Sequence, residues 1–188
     1  MKNKQTIIAI DIETTGLNPK KHKILEVAMH ELNEHFCIIN SFHGILAYQD
    51  FIEHIDPKVV EMHVNNGLFH FVDGLPIVST AAQANCDLVD IYTWLKQYEK
   101  IVFLGNSVHF DRSFIEYHFP AIIPNLHWRN FDVRTLLMTL DISYLIPPFT
   151  SIHRAESDIM QSIILARKYR ELIGLGLDNY NYINNVMV

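Results

Sequence analysis

The sequence has few cysteines and fewer basic than acidic residues, and both shortages argue against particular classes of protein. Only two cysteines occur in the 188 residues, Cys37 and Cys86, and they lack the spacing of a metal-binding motif. A disulfide framework is therefore not expected, and reduced cysteines are typical of cytoplasmic proteins. The 15 basic and 21 acidic residues give a formal charge of −6, which argues against a long basic groove for duplex nucleic acid.

Long apolar runs are also missing. No stretch approaches the length of a membrane span, although 49% of the residues are hydrophobic. The basic start resembles the beginning of a signal peptide, but acidic residues soon interrupt the apolar stretch behind it. We therefore expect a soluble, cytoplasmic protein with no membrane partner. The length fits a single domain, 1–188, whose tail at about 175–188 carries no clear pattern.

Two carboxylates lie at the end of the first predicted strand. Residues 6–10 are apolar and largely β-branched, as in a buried strand, and Asp11 and Glu13 follow them. Because side chains alternate along a strand, residues two apart point to the same face. Like charges this close to a core are costly unless a cation lies between them. The pair is therefore a candidate site for a hard divalent cation, although a solvated or salt-bridged pair is the commoner arrangement.

The rest of the sequence predicts an α/β fold. Strands are expected at 23–32 and 37–46, joined by a polar turn and therefore antiparallel, and again at 101–104 and 128–133. Helices are expected from their caps and periodicity in five places: after Asp56-Pro57; from a capping box of Thr80 and Gln83 through Ala84, Leu88, Ile91 and Leu95; at 112–119; at 134–140; and at 155–172, with Gly174 as the C-cap.

Four acidic residues lie where predicted elements begin or end. Asp111 opens a helix after an apolar strand, and Asp158 lies in the first turns of the last helix. These positions can converge with Asp11 and Glu13 on one cleft of an open α/β sheet. Four carboxylates fit two divalent ions that clamp a phosphodiester and activate a water molecule. His153, five residues before the last aspartate, would be the general base for that water.

These residues carry a resemblance to a known family. Three motifs occur in order and at ordinary spacing: Asp11-x-Glu13-Thr-Thr-Gly-Leu, Asn106-x-x-x-Phe110-Asp111-x-x-Phe114 and His153-x-Ala155-x-x-Asp158. Together they resemble the DEDDh family of 3′ to 5′ exonucleases, in which this histidine replaces the tyrosine of a sister branch. The resemblance covers essentially the whole chain. It implies an RNase H-like α/β fold with a central mixed five-stranded sheet flanked by helices.

Within that family the sequence is most similar to the oligoribonucleases. The additional matches are Gly105-Asn106-Ser107, His63-x-x-Asn66-Gly67-Leu68 and Arg129-x-x-Asp132-Val133-x-Thr135-Leu136. The resemblance implies hydrolysis of short RNA or single-stranded nucleic acid to nucleoside 5′-monophosphates, and a homodimer. An exonuclease that trims single-stranded DNA, or an RNase T-like trimming enzyme, is the alternative. A catalytically silent module that binds nucleic acid is the alternative from a different class.

The resemblance also implies roles for individual residues. Asp11 would bridge two divalent cations, Mg²⁺ or Mn²⁺. Glu13 and Asp158 would complete one metal site, and Asp111 would hold the second. Five residues would contact the substrate: Leu17 at the terminal bases, Ser107 and His63 near the nucleotide, Arg129 at a phosphate, and Trp128 stacked on a base. A buried position in a helix is an equal alternative for His63.

Four positions depart from the oligoribonuclease pattern, and one of them, Trp128, stands where that family usually has tyrosine. Lys58 stands where a tryptophan wedges against the bases, Phe110 replaces a glutamine, and Arg134 replaces a serine that helps to cap the 5′-phosphate. Because these changes surround the acidic residues and do not replace them, they affect the expected substrate preference and leave the expected chemistry intact. Glu26 and Asp132 are expected to support the fold and not to bind metal.

Overall fold

The apolar runs of the sequence form a mixed β-sheet, and the segments with helical caps surround it. In the computed structural model the described residues are 5–46, 55–72, 75–78, 85–139 and 151–186. They form the strands β1 (Thr6–Thr14), β2 (Ile24–Leu32), β3 (Ile38–Ile45), β4 (Phe69–Val72), β5 (Leu75–Val78), β6 (Ile101–Gly105) and β7 (Phe131–Asp132). The helices are α1 (Pro57–Asn65), α2 (Leu88–Lys96), α3 (His109–His118), α4 (Val133–Thr139) and α5 (Ala155–Val186), with a 3₁₀ helix at Pro120–Asn125.

The central sheet has five strands in the order β3-β2-β1-β6-β7. Short connections make β1, β2 and β3 antiparallel neighbours, whereas β6 runs parallel to both β1 and β7. The end of β6 approaches β1 closely, since a Cβ atom on Gly105 would lie 2.8 Å from the carbonyl oxygen of Ile10. The predicted mixed five-stranded sheet is confirmed. A separate two-stranded sheet of β4 and β5 was not indicated by the sequence.

Alternation along β1 divides the core into two layers. Ile8 and Ile10 pack on one side of the sheet with residues of α2 and α3. Ala9 packs on the other side with residues of α4 and α5. Asp11 and Glu13 continue the row of Ala9, so both carboxylates face the side of the sheet that α5 covers.

Helix α2 begins at a different cap from the predicted one. Its N-cap is Asp87, whose carboxylate accepts hydrogen bonds from the backbone N–H groups of Val89 and Asp90. The carboxylate of Asp90 accepts from the backbone N–H of Asp87 in return, which completes a reciprocal cap. The predicted capping box of Thr80 and Gln83 lies outside the described residues. The prediction was therefore wrong about where this described helix starts.

The end of α5 also differs from the prediction. The sequence predicts a C-cap at Gly174, but the helix continues to Val186. Glycine permits the left-handed conformation of a C-cap without enforcing it, and no proline follows to stop the helix. Across the described ranges, no helix combines the length and the apolar character that crossing a bilayer requires.

The predicted strand at 128–133 is much shorter in the structure. Only Phe131–Asp132 pairs with β6 as β7. The preceding segment is held by Arg112 of α3, whose Nη1 donates to the carbonyl oxygen of His127 at 2.6 Å and to Oδ1 of Asn130 at 2.9 Å. These side-chain contacts hold the segment where it does not pair with β6.

Candidate active site

The carboxyl end of β1 meets the starts of α3 and α5 in one cleft. Asp11 and Glu13 enter it from β1, and Asp111 enters from the first turn of α3. The Oδ1 atom of Asp111 accepts a hydrogen bond at 3.0 Å from the backbone N–H between the two β1 carboxylates. Asp158 and His153 line the same cleft, which has a volume of about 380 Å³. The structure therefore brings the predicted catalytic and metal-binding residues together.

Burial and mutual repulsion oppose ionisation of these carboxyl groups. Burial, together with the charge of Asp158, raises the pKa of Glu13 to about 8. Burial also raises the pKa of Asp111 to about 8, although its hydrogen bond from the β1 backbone acts in the opposite direction. For Asp11, burial and the charges of Asp111 and Glu13 raise the pKa well above its usual range. A bound cation would therefore stabilise the ionised form of this cluster.

The donor atoms of the cleft fit a divalent cation. Glu13, His153 and Asp158 each offer one ligand atom, and these atoms lie within 4.8 Å of one another. Carboxylate oxygens are the hard donors that Mg²⁺ and Mn²⁺ prefer. The arrangement therefore combines suitable ligands with carboxyl groups whose repulsion a cation would offset.

His153 is exposed and lies on a short segment held by Asp158. The carboxylate of Asp158 accepts hydrogen bonds at 3.2 Å from the backbone N–H groups of Ile152 and His153, and it also accepts from the hydroxyl of Ser151. Oγ of Ser151 lies 3.3 Å from Nδ1 of His153. Because the serine hydroxyl donates to Asp158, its oxygen can accept from Nδ1–H, and Nε2 then remains free to accept a proton. No pattern in the sequence had singled out Ser151.

Glu26 lies beside the cleft but has its own hydrogen-bonding partners. Arg154 donates two hydrogen bonds to its carboxylate at 2.9 and 3.0 Å, and Nε2 of His43 lies 2.8 Å from it. The backbone N–H of Ala155 donates a fourth hydrogen bond. Burial alone would raise the pKa of Glu26, but the bonds from His43 and Arg154 outweigh it and lower the pKa to about 2. The predicted structural role of Glu26 is confirmed.

The predicted substrate-binding residues occupy different positions relative to the cleft. Leu17, which is 79% exposed, and Ser107 both line it. His63 is fully buried, with Nε2 at 3.4 Å from the carbonyl oxygen of Thr14 and at 3.7 Å from the carboxylate of Glu13. Burial lowers the pKa of His63 to about 4, so the ring is neutral near pH 7. Its geometry fits the buried-helix alternative.

Trp128 and Arg129 lie outside the residues that line the cleft. Trp128 is 72% exposed, and the guanidinium of Arg129 lies 4.0 Å from its ring centroid. The adjoining Asp132 accepts hydrogen bonds from the backbone N–H groups of Ser107 at 3.3 Å and Arg134 at 2.9 Å. Asp132 therefore connects the segment that carries Trp128 and Arg129 to Ser107 at the rim of the cleft. Its predicted role in the fold is confirmed.

Apolar side chains supply part of the remaining cleft wall. Val59 and Met62 contribute from α1, and Phe110 contributes from α3. Phe110 is thus the one departure from the oligoribonuclease pattern that lines the cleft. Lys58 and Arg134 are exposed on α1 and α4. The altered positions therefore leave the acidic residues themselves unchanged.

Similar proteins are found by sequence. The sequence model of the RNase T exonuclease family matches residues 8–166. The oligoribonuclease of Pseudomonas syringae pv. tomato is 33% identical over 175 residues, which cover 91% of this chain and 97% of the relative. The oligoribonuclease of Neisseria meningitidis serogroup A is 29% identical over 178 residues, which cover 91% of this chain and 94% of the relative.

Solved structures of E. coli exonuclease I have a similar fold. The structure in complex with a dT13 oligonucleotide gives a TM-score of 0.65 at 14% identity and covers 94% of this chain. The zinc-bound form of the complex with single-stranded DNA gives a TM-score of 0.59 at 15% identity and covers 87% of this chain. This chain spans only 43% and 40% of those two chains. The fold likeness confirms the predicted RNase H-like architecture.

Proposed function

Because this chain belongs to the RNase T exonuclease family, we propose that it is a 3′ to 5′ exonuclease that hydrolyses short RNA or single-stranded nucleic acid to nucleoside 5′-monophosphates. One observation carries the proposal, the convergence in one cleft of Asp11, Glu13, Asp111, His153 and Asp158. The similarity to oligoribonucleases over 91% of the chain supports short RNA as the substrate.

The acidic residues would hold two divalent cations, Mg²⁺ or Mn²⁺. Asp11 would serve both ions, Glu13 and Asp158 would complete one site, and Asp111 would hold the other. The raised pKa values of Asp11, Glu13 and Asp111 support this assignment, because bound cations would offset the burial and the repulsion that raise them. When bound, the ions polarise the phosphodiester and lower the pKa of a water molecule.

His153 would act as the general base. Its exposed ring is accessible to a water molecule in the cleft, and the contact between Nδ1 and Ser151 leaves Nε2 to accept the proton. Asp158 would hold the segment in place through the backbone N–H groups of Ile152 and His153. His153 and Asp158 would thus belong to one hydrogen-bonded unit.

The substrate would be bound by apolar and polar groups around the acidic cluster. Leu17 would contact the terminal bases, and its exposure at the cleft supports this role. Ser107 would lie near the nucleotide. Arg129 would bind a phosphate and Trp128 would stack on a base, for which their exposed cation–π pair provides a platform. The buried His63 would then act from beneath the cleft, through Thr14 and Glu13.

A substrate panel tests the proposal. The chain is incubated with 5′-labelled RNA dinucleotides, longer RNA, single-stranded DNA and duplex, with Mg²⁺ or Mn²⁺ and with EDTA as control. We expect shortening from the 3′ end that depends on the metal and is lost in Asp111→Asn. If no substrate were cleaved, the proposal would fail and a module that only binds nucleic acid would be favoured.

Trimming of single-stranded DNA, or RNase T-like trimming, is the second candidate activity. The presence of Phe110 in the cleft favours it, because oligoribonucleases carry glutamine at this position. Faster cleavage of single-stranded DNA or of longer RNA than of dinucleotides in the same panel would select this candidate. Preferred cleavage of RNA dinucleotides would select the oligoribonuclease activity.

A homodimer in the cytoplasm is the proposed state of the protein. The exposed apolar side chains of Met138 and Ile164 support an interface between copies of the chain. The free thiols of Cys37 and Cys86 support a reducing compartment. Light scattering during size exclusion would measure the mass in solution, and a monomer at micromolar concentration would contradict the dimer.

A further inference from the structure

The side chain of Asn66, directly after α1, has three hydrogen-bond partners. Its Nδ2 group donates to the backbone carbonyl oxygen of His153 and, at 3.2 Å, to Nδ1 of His63. Its Oδ1 atom accepts from the backbone N–H of Leu68 at 2.9 Å. Because both ends of the amide are engaged, its orientation is fixed. The contact with His153 joins residues that are 87 positions apart in the sequence.

The backbone of His153 is in a conformation that needs such support. Its φ angle of 55° lies in the left-handed region, which side chains with a Cβ atom adopt only where their surroundings hold them. The N–H of His153 donates to Asp158 at 3.2 Å, and the carbonyl oxygen accepts from Asn66. These contacts hold the peptide planes on both sides of the Cα atom, so they fix the direction of the Cα–Cβ bond. The contact between Nδ1 and Ser151 then orients the imidazole.

His63 secures Asn66 from beneath. Since Nδ1 of His63 accepts from the amide of Asn66, its proton lies on Nε2, which faces the carbonyl oxygen of Thr14. The ring of His63 is fully buried and lies edge-on to Phe69, with the ring centroids 5.0 Å apart. The amide of Asn66 is therefore held by a rigid support and not by solvent.

We propose that Asn66 is a positioning residue that holds the backbone of His153 and thereby places its imidazole for proton transfer. This inference rests on the proposed function, in which His153 is the general base. Helix α1 also lines the cleft through Val59 and Met62, so Asn66 connects a wall of the substrate cleft to the base. Without the amide of Asn66, the segment keeps its hydrogen bonds to Asp158 but loses this hydrogen bond to the residue that follows α1.

The Asn66→Asp variant removes the donor and keeps the shape of the side chain. A carboxylate still accepts from the N–H of Leu68, but it repels the carbonyl oxygen of His153. We expect kcat to fall by about 10- to 100-fold while KM changes by less than about threefold. The matched control is Asn65→Asp, which makes the same change in charge at the exposed neighbouring residue and should keep kcat within about twofold.

A double variant separates positioning from a general loss of structure. If Asn66 acts through His153, then Asn66→Asp should have no further effect on kcat in the His153→Ala background. A further loss by the same factor as in the wild type would overturn the proposal. Asn66→Ser, which retains a hydroxyl donor, provides a second variant in case the aspartate destabilises the fold, and its kcat should lie between those of the wild type and Asn66→Asp.

Amide hydrogen exchange tests the same contact without catalysis. In the metal-free protein, exchange at 151–153 should be about tenfold faster in Asn66→Asp than in the wild type or Asn65→Asp. Unchanged exchange would overturn the positioning role. Because this measurement needs no substrate, it distinguishes failure of the positioning role from failure of the proposed exonuclease activity.

Discussion

Glu13 and Glu26 are the same residue type and face each other across the β1–β2 ladder, yet their pKa values move in opposite directions. Both are buried, and burial alone would raise both pKa values. The pKa of Glu13 rises to about 8, whereas hydrogen bonds from His43 and Arg154 lower that of Glu26 to about 2. The difference between the two pKa values therefore comes from the hydrogen-bonding partners and not from the degree of burial.

Arg154 explains why neighbouring carboxylates differ. Its guanidinium binds Glu26 directly and reaches Glu13 only as a weak, more distant charge. Glu26 and Arg154 thus form a completed ion pair, while Glu13 shares its surroundings with Asp11 and Asp158. A cation from solution would do for Glu13 what Arg154 does for Glu26. The contrast separates a structural carboxylate from one suited to bind metal.

Glu13→Gln should have the largest effect on activity. Removal of a metal-binding carboxylate is expected to lower kcat by about 10⁴-fold and to weaken Mn²⁺ binding, because the neutral amide is a poorer ligand. The metal-free protein should unfold at the same or a higher urea concentration, since the repulsion with Asp158 is reduced. Calorimetric titration with Mn²⁺ measures the affinity, and an unchanged value would contradict the role of Glu13.

His153→Ala should have the next largest effect. Loss of the general base is expected to slow turnover by about 10³-fold, while substrate binding persists because the binding residues remain. Single-turnover kinetics with a 5′-labelled oligonucleotide separate the two quantities. Its sequence neighbour Arg154 belongs to the ion pair with Glu26, so Arg154→Met provides a contrast in which stability should fall more than turnover. Near-wild-type turnover of His153→Ala would rule out its role as the base.

Glu26→Gln should reduce stability and leave most of the activity. The change breaks the buried pair with Arg154, which we expect to lower the free energy of unfolding by about 3 kcal/mol. The hydrogen bond to the backbone N–H of Ala155 can persist through the amide oxygen, so α5 should still start at the same residue. Urea unfolding is the measurement, with Glu13→Gln as the matched variant. Equal stability of the two variants would remove the distinction between these carboxylates.

The free energy of unfolding of the metal-free protein should depend on pH in a way that shows the contrast between Glu13 and Glu26. The expected changes are smaller than those of the variants above. A raised folded-state pKa stabilises the protein at low pH, so the contribution of Glu13 is lost between about pH 4.5 and about pH 8. A lowered pKa acts in the opposite sense, so the contribution of Glu26 is lost as the pH falls from about 4.5 to about 2. We expect a maximum near pH 5 and a decline on the order of 2 kcal/mol towards pH 8.

Urea unfolding in EDTA across this pH range would measure both slopes. Glu13→Gln should make the decline above pH 5 smaller without removing it, because Asp11 and Asp111 also have raised pKa values. Glu26→Gln should make the decline below pH 5 smaller. Saturating Mn²⁺ should reverse the slope above pH 5, because metal binding requires ionised ligands. A wild-type curve without a maximum would contradict the assigned pKa shifts.

The acidic centre was predictable because its residues occupy positions with simple geometric rules. Alternation places Asp11 and Glu13 on one face of β1, and the starts of helices bring in Asp111 and Asp158. The spacing of His153 to Asp158 then completes a motif in the sequence. The mixed five-stranded sheet follows from strand lengths and short connections in the same way.

The supporting contacts were not predictable, because they depend on tertiary packing. Asn66 was part of a recognised motif, but its contact with His153 joins two distant segments and leaves no local pattern. Ser151 likewise became visible only through its bond to Asp158. Helix ends depend on competing caps, so Asp87 supplied the start of α2 and Gly174 did not end α5.

The different surroundings of the two tryptophans give the protein two distinguishable fluorophores. Trp94 is half-buried against Phe42 and Tyr98, so its emission should report on the folded state. Trp128 is 72% exposed beneath the guanidinium of Arg129, so its emission should respond to whatever stacks on that surface. Replacing either indole with phenylalanine would therefore leave a chain whose tryptophan emission reports on the exposed surface at Trp128 or on the packing around Trp94.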